Sequence, residues 1–396
     1  MRTDLLFMLK LICAVVGGAE LPDEVEGVDW KNLYDISRFH GVTNLVGYGV
    51  MSGNYQVDGE TKNLFIKAVS DSIKIDAHQM MAAKELFEKF DAENINYMPL
   101  KGINLKKLYP QPHMRNMSDC DILIRESQKE QVLSVMESLG YNFRTESNHE
   151  LVFDKKPLVN IELHKYMIPT YTEDLYEYYG DGWKLAKPVC DGNRYALSSE
   201  DELIYIFAHM VKHYRDAGIG IKHMLDIGVF VQKSANLNHE YIKEHMQKLN
   251  MYTFYQNIMK LLKCWRGECE YDEVSMDITN FVLKSGSFGS LKNKATATTI
   301  RTYMNKSLDN ASRYKYLKMV FPDYWQMKGI YPNLEKRPYL LPFYWIKRLV
   351  IGVLFKRKNI EYHVAKAKTV ENDYVDEYKA HMETVGLDIY NGRKKN

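Results

Sequence analysis

The spacing of apolar positions changes its period twice along the chain, and each change marks a boundary. Leu5 to Val16 is apolar apart from Lys10 and reads as a buried, amphipathic first helix. Asp4 and Lys10 interrupt it and no small-x-small cleavage site follows, so a signal peptide is not expected. Trp30, Leu33, Tyr34 and Ile36 to Phe39 outline a second, short helix. A longer helical pattern runs from Thr61 to Asn94 through Leu64, Ile66, Val69, Ile73, Ile75, Met80, Met81, Leu86 and Phe90, with no proline to break it.

At Tyr97 the period shortens. Met98-Pro99-Leu100 reads as a strand that runs into a Lys101-Gly102 turn, with a helix from Ile103 to Tyr109 that Pro110 and Pro112 stop. Asp119 to Ile124 alternates like a strand. Glu126 to Leu139 reads as a helix with Gly140 just past its end. Tyr141–Thr145, Leu151–Phe153 and Leu158–Leu163 are strand-like. From Ser198 the helical period returns: Ser198 or Ser199 suits an N-cap, and Leu203, Ile206, Phe207, Met210, Val211 and Tyr214 follow at helical spacing. Further helices are expected at 221–233, 238–248, 250–264 and 272–284, with Gly286 and Gly289 beyond the last. The expected class is α+β. A small mixed-sheet core (93–197) sits between an N-terminal helical region (1–92) and a helical domain (198–335), with a basic helical segment at 336–396.

Composition narrows the choice of partners. The 396 residues fit two or three domains of roughly 100–200 residues each. With 26% charged residues and a net charge of +2, the chain is less extreme than a disordered protein or one that binds nucleic acid over its whole surface. The charge is uneven, because nine Lys or Arg between Lys336 and Lys368 stand against one acid, Glu361. Such a stretch either meets phosphate, RNA or an anionic membrane, or is a solvated helix face. Within it, Tyr339 to Phe355 is apolar and aromatic apart from Lys347 and Arg348. That pattern fits a helix packed on the protein, or one in peripheral membrane contact through 339–358. No uncharged run reaches the about 18 residues of a transmembrane helix. The cysteines (Cys13, Cys120, Cys190, Cys264 and Cys269) are scattered and form no C-x-x-C pair. This argues against a disulfide framework or structural zinc and for a reducing, cytoplasmic compartment.

The candidate chemistry lies in the alternating segment. Asp119 and Asp121 are two apart on an expected strand, so both carboxylates project from one face while Cys120 and Ile122 point to the core. Two adjacent acids repel unless a cation lies between them, and hard oxygen ligands suit Mg²⁺, with Mn²⁺ as the alternative. Glu162 alternates with Ile161 and Leu163 on a later strand. If the two strands are neighbours, three carboxylates meet and can hold two metal ions. Upstream, Gly102 allows close approach of a phosphate, Lys101 stands beside it, and Arg115 and Ser118 stand just before the aspartates.

This order of strand, glycine turn, D-x-D strand and later acid resembles the DNA polymerase beta-like nucleotidyltransferase superfamily. Leu100-Lys101-Gly102, Tyr109-Pro110, Arg115, the run Asp119–Leu123 and Ile161-Glu162-Leu163-His164 are similar to the bacterial family of uncharacterised nucleotidyltransferases. Ala208-His209, Lys212-His213, Asp226, Gly286–Gly289 and Arg337–Pro342 share that resemblance, which covers roughly residues 25–350. It implies transfer of a nucleoside monophosphate from an NTP such as ATP, with Mg²⁺, to a hydroxyl acceptor, and release of pyrophosphate. The acceptor is left open between a small molecule, a protein, a sugar and an RNA end. Asp119 and Asp121 would bind both metals, Glu162 would complete the site and help deprotonate the acceptor, and Gly102 would border the triphosphate. The chain departs from the superfamily in having Ile103 where a serine usually follows the glycine, with Asn104 or Ser118 left to supply the hydrogen bond. The spacing from Gly102 to Asp119 is also longer than usual.

His209 and His213 share a helix face at i and i+4, without the Glu of a zinc-protease helix. They pack against the α/β unit, or Lys212 and His213 face a cleft and reach phosphate or base, or the two histidines form a zinc site in a metal hydrolase. Lys222 and Asp226 also share a face, as an i,i+4 pair. The rival to an enzyme is a nucleotide-binding or membrane-peripheral module on the same fold.

Overall fold

The computed structural model describes residues 3–189, 192–302, 321–322, 324, 327, 330–334, 336–355 and 372–389. Four helices come first: α1 (Thr3–Gly17), α2 (Trp30–Phe39), α3 (Thr43–Ser52) and α4 (Gly59–Ala92). Asp58 caps α4 by accepting a hydrogen bond from the Thr61 amide at 2.9 Å. The apolar spacing does not reveal α3, because Gly47 and Gly49 interrupt its helix formers. Those glycines are contact points instead. A Cβ on Gly47 would lie 2.8 Å from the Val69 side chain and 2.9 Å from the Phe65 carbonyl oxygen, so α3 rests directly on α4.

The sheet follows: β1 (Tyr97–Pro99), β2 (Cys120–Ile124), β3 (Asn142–Glu146), β4 (Glu150–Lys155) and β5 (Val159–His164), in the order β1-β2-β5-β4-β3. β2 and β5 run parallel and the other neighbours antiparallel. Pro99 is tolerated because β1 is an edge strand. Between β1 and β2 the chain forms α5 (Gly102–Leu105) and two 3₁₀ turns (Lys106–Leu108 and Pro112–Met114). The helix expected over Ile103–Tyr109 is therefore shorter and tightens at its end. Lys106 is drawn inward there, its ammonium buried 2.7 Å from Asp76 on α4. α6 (Lys129–Ser138) lies between β2 and β3, and α7 (Glu173–Tyr179) and a two-residue hairpin, β6 (Lys187–Pro188) and β7 (Tyr195–Ala196), follow β5.

Alternation decides which sheet face does what. Cys120, Ile122, Ile124, Ile161, Leu163, Leu151 and Phe153 pack with Ala83, Leu86 and Phe90 of α4 and Val132, Val135 and Met136 of α6. The opposite face carries Asp121, Glu162, His164 and Glu150 and looks toward the second helical region. That region comprises α8 (Ser199–Ala217), α9 (Ile221–Lys233), α10 (His239–Lys248), α11 (Tyr252–Trp265), α12 (Glu273–Ser285) and α13 (Leu291–Thr302). Ser198 caps α8, its hydroxyl accepting from the Asp201 amide at 3.1 Å.

A larger apolar cluster joins α1, α2, α3, α8, α9, α11 and α12 to Met98, Leu100 and Leu123 of the sheet. The last two described helices are α14 (Leu341–Phe355) and α15 (Asn372–Val385). Val375, Tyr378, Met382 and Val385 of α15 belong to that larger cluster. Tyr214 and Asp277 both hydrogen-bond the His381 ring, at 2.8 and 2.6 Å. Arg301 donates to the Ile389 carbonyl at 2.8 Å. The segment at 336–396 thus returns its final helix to the core of the 198–335 region. Cys190 and the basic residues from Lys356 to Lys368 lie outside the described residues. Among the described residues, no helix is long and apolar enough to cross a membrane.

The α3–α4 contact predicts a stability change. Gly47→Ala should destabilise the protein by about 1–3 kcal/mol through overpacking, read as a lower urea midpoint with an unchanged slope. An unchanged midpoint would mean that the two helices part freely at this point.

Candidate active site

The parallel β2–β5 register sets Asp121 directly beside Glu162. Both line a cleft of about 460 Å³ between the sheet and helices α8 and α9. Asp119, just before β2, lines it as well, as do Lys101, Gly102, Arg115, Ser118, Lys212 and His213. The fold therefore brings together in one cavity all nine residues selected from the sequence. Asp121, Glu162 and His164 put ligand atoms within 4.8 Å of one another.

The three acids differ in their surroundings. Asp121 is buried, and its Oδ1 accepts from Lys101 Nζ and from His164 Nε2, both at 2.8 Å. Burial alone would raise its pKa, but the Lys101 charge and the His164 hydrogen bond hold it well below the usual carboxylate range. Both donors are on Oδ1, which leaves Oδ2 for the cleft. Glu162 is half-buried and has no lysine or arginine partner among the described residues. Burial, then Asp119 and Asp121, push it up to about 8. Asp119 is raised by burial and by Asp121. Uncompensated carboxylate charge thus collects around Glu162 and Asp119, and a divalent cation would relieve it.

Lys101 reaches Asp121 from a strained backbone. Its φ of 48° with ψ of −116° is outside the regions that suit a side chain. Gly102 follows because nothing larger fits, since a Cβ there would lie 2.5 Å from Arg115 Nη1. Arg115 is buried and grips Asp226 with two hydrogen bonds, Nε to Oδ1 at 3.1 Å and Nη2 to Oδ2 at 2.9 Å. The Tyr109 hydroxyl donates to the same Oδ1 at 2.8 Å. Asp226 thus pairs with Arg115 on the sheet side rather than with Lys222 one turn away on its own helix. Lys101 and Arg115 are both engaged with protein carboxylates.

Two cations in the cleft are not. Lys212 on α8 and Lys222 on α9 form no hydrogen bond or ion pair with any described residue, and Lys212 Nζ lies 5.8 Å from the centre of the Tyr171 ring. Burial, with Lys101 nearby, lowers Lys212 to about 8. Burial, with Arg115 nearby, does the same to Lys222. His209 and His213 face each other, Nε2 to Nε2, at 3.2 Å. Burial holds both well below the ordinary histidine value, and it lowers His223 to about 3. Among the described residues no third metal-ligating side chain converges on the His209–His213 pair, so the zinc-hydrolase arrangement is not formed there.

A family model for uncharacterised nucleotidyltransferases matches residues 26–267, well over half of the chain. The protein belongs to the uncharacterised nucleotidyltransferase family. No curated protein matches it. Among solved structures it is similar to the antibiotic-resistance factor ANT(2'')-Ia, with 12% identity, covering 49% of this chain and all of that chain. The TM-score of 0.32 is too low to transfer any geometry.

Within this nucleotidyltransferase, the Ile103 side chain that replaces the usual serine is buried in the core behind the sheet. Asn104 does not substitute for it, because its amide donates to the Pro99 carbonyl at 2.8 Å and to Glu202 at 3.0 Å. Ser118 does line the cleft. Sequence reasoning gave no role to His164 or His149, and took Lys222 only as a helix partner of Asp226. The signal for His164 was present, since a residue two after Glu162 on a strand shares its face. His149 had no such signal, because it lies in a hairpin loop, and the helix face of Lys222 did not show that it stands across the cleft.

Removing Asp226 tests the Arg115 anchor. Asp226→Ala should cost about 3–5 kcal/mol, because a buried guanidinium loses its partner. Adding Arg115→Met should restore much of that in urea denaturation. A loss well under 1 kcal/mol in the single variant would mean that water already solvates the pair.

Proposed function

We propose that the protein transfers a nucleoside monophosphate from an NTP to a hydroxyl acceptor and releases pyrophosphate, with divalent ions held by Asp119, Asp121 and Glu162. The observation that carries this reading is the alignment of Asp121 with Glu162 in a cleft that also holds two unpaired lysines. Hard carboxylate oxygens with excess negative charge fit Mg²⁺, or Mn²⁺ in its place. When bound, the ions neutralise charge on the phosphoryl oxygens and make the attacking hydroxyl more acidic.

The chain's own groups divide the remaining work. Lys101 and His164 keep Asp121 ionised and fixed in direction. Glu162, on the open side of the carboxylate group, completes the metal site and receives the acceptor proton. Lys212 and Lys222 reach across from α8 and α9 to the triphosphate, His213 and Ser118 add hydrogen bonds, and Gly102 lets the backbone come close. Arg115 acts indirectly: held by Asp226, it supports the Gly102 turn from behind. The donor is an NTP such as ATP. The acceptor is a small molecule, a protein side chain, a sugar or an RNA end.

A second feature concerns where the enzyme works. On α14 and the turn before it, Tyr339, Phe343, Ile346 and Val350 are 72%, 61%, 62% and 50% exposed. Their spacing of four, three and four residues places them in one stripe. Lys336, Arg337 and Lys347 are exposed near it. An apolar, aromatic stripe flanked by cations suits the surface of an anionic bilayer, which makes a cytoplasmic enzyme with peripheral membrane contact the reading we adopt.

Two experiments follow. Thermal melts with each NTP, with and without Mg²⁺, should show a Mg²⁺-dependent shift for one nucleotide, worth about 2.7 kcal/mol at 100 times its dissociation constant. Asp119→Asn should abolish that shift, and Lys222→Ala should weaken it. No shift with any nucleotide would leave a non-enzymatic module on this fold. In the second, the full chain should sediment with phosphatidylserine-containing vesicles and not with phosphatidylcholine alone, and Phe343→Asp with Ile346→Asp should abolish this. Sedimentation that ignores both lipid charge and these substitutions would overturn the membrane reading.

A further inference from the structure

Beside the carboxylate site the sheet presents a second cluster of a different chemical kind. Glu150 lies directly opposite His164 in the antiparallel β4–β5 pair, so their side chains share a face. His149, in the hairpin loop before β4, is held over them by a hydrogen bond from the Lys165 amide to its carbonyl at 2.8 Å. His149 Nε2 and His164 Nδ1 are 2.9 Å apart, and Glu150 Oε2 is 3.9 Å from each. In a triangle with sides of 2.9, 3.9 and 3.9 Å the point equidistant from all three corners is about 2.1 Å from each, which is the length of a zinc–imidazole bond. The remaining nitrogen of His164 is already placed as it would be in a metal site. Its Nε2 lies 2.8 Å from Asp121 Oδ1, the carboxylate–histidine arrangement that commonly orients a metal-bound imidazole. No lysine or arginine among the described residues pairs with Glu150.

We propose that His149, Glu150 and His164 form a three-ligand site for a zinc-class divalent cation, distinct from the Mg²⁺ site and joined to it by the His164–Asp121 hydrogen bond. Two imidazoles and one carboxylate are borderline ligands that favour Zn²⁺ or Co²⁺ over Mg²⁺, whereas the Asp119, Asp121 and Glu162 oxygens are hard. The fourth position opens on the cleft, which Ser147, His149, Glu150 and His164 all line. An ion on His164 Nδ1 fixes the proton on Nε2, so it also fixes the donor that orients Asp121. The inference does not depend on the nucleotidyl-transfer reading, and its test uses no nucleotide.

The experiment is metal titration of the full-length protein, freed of metal by a chelator and held in excess Mg²⁺. One Zn²⁺ per chain should bind, and Co²⁺ in its place should give the intense visible absorption of a low-coordinate site with nitrogen ligands. His149→Ala and Glu150→Gln should each weaken Zn²⁺ binding at least about tenfold, whereas Asp119→Asn should leave it intact. Binding that survives in both ligand variants, or that is lost in Asp119→Asn, assigns the ion to the carboxylates and overturns the proposal. The wild-type Co²⁺ spectrum decides the matter even if a variant fails to fold, since a weak, oxygen-only octahedral spectrum, or none, also overturns it.

Discussion

Mutual repulsion among carboxylates on one sheet face is the constraint around which this molecule is arranged. The parallel β2–β5 register makes Asp121 and Glu162 neighbours, and Asp119 is two residues from the first. Negative charge gathered at a partly dry surface is unfavourable unless cations are supplied. The structure supplies one internally, Lys101 on Asp121, and reaches it only through a strained backbone at the β1–α5 turn. It does not do so for Glu162, whose pKa is pushed up to about 8. The imbalance is local and points into the cleft.

The basic groups follow a matching division. Lys101, Lys106 and Arg115 are each bound to a protein carboxylate and serve the architecture. Lys212 and Lys222, on the two helices facing the sheet, have no such partner among the described residues, and burial lowers both to about 8. A cavity with excess acid on one wall and unpaired cations on the other is electrostatically complementary to a metal–polyphosphate complex.

The helical regions are part of the site's construction. The larger apolar cluster ties α1–α3 and α8–α12 to Met98, Leu100 and Leu123 at the sheet, which fixes where α8 and α9 stand relative to β2 and β5. α15 closes the same cluster from the far end of the chain. Removing that end would therefore take away core residues as well as a basic stretch of sequence.

Local periodicity by itself determined much of this protein. Alternation at Asp119–Ile124 and Val159–His164 announced two strands and showed which side chains leave the core together, because a strand has only two faces. The cap at Ser198 and the 3–4 spacing of α4 and α8 were likewise local facts. Family membership could also be read from short motifs, since the glycine turn and the acids fall in a fixed order. Tertiary structure alone decided the pairing. Nothing near Asp226 in the sequence indicates that it binds Arg115, 111 residues away, instead of Lys222 on its own helix. Nor does the sequence near Glu162 place His149 above His164, since a hairpin loop has no period to read. α3 was hidden for a similar reason: its glycines weaken the local helix signal and are explained only by the close approach of α4. Hydrogen bonds within a strand or helix depend on neighbours in sequence, whereas a charged pair across a cleft depends on packing the whole chain.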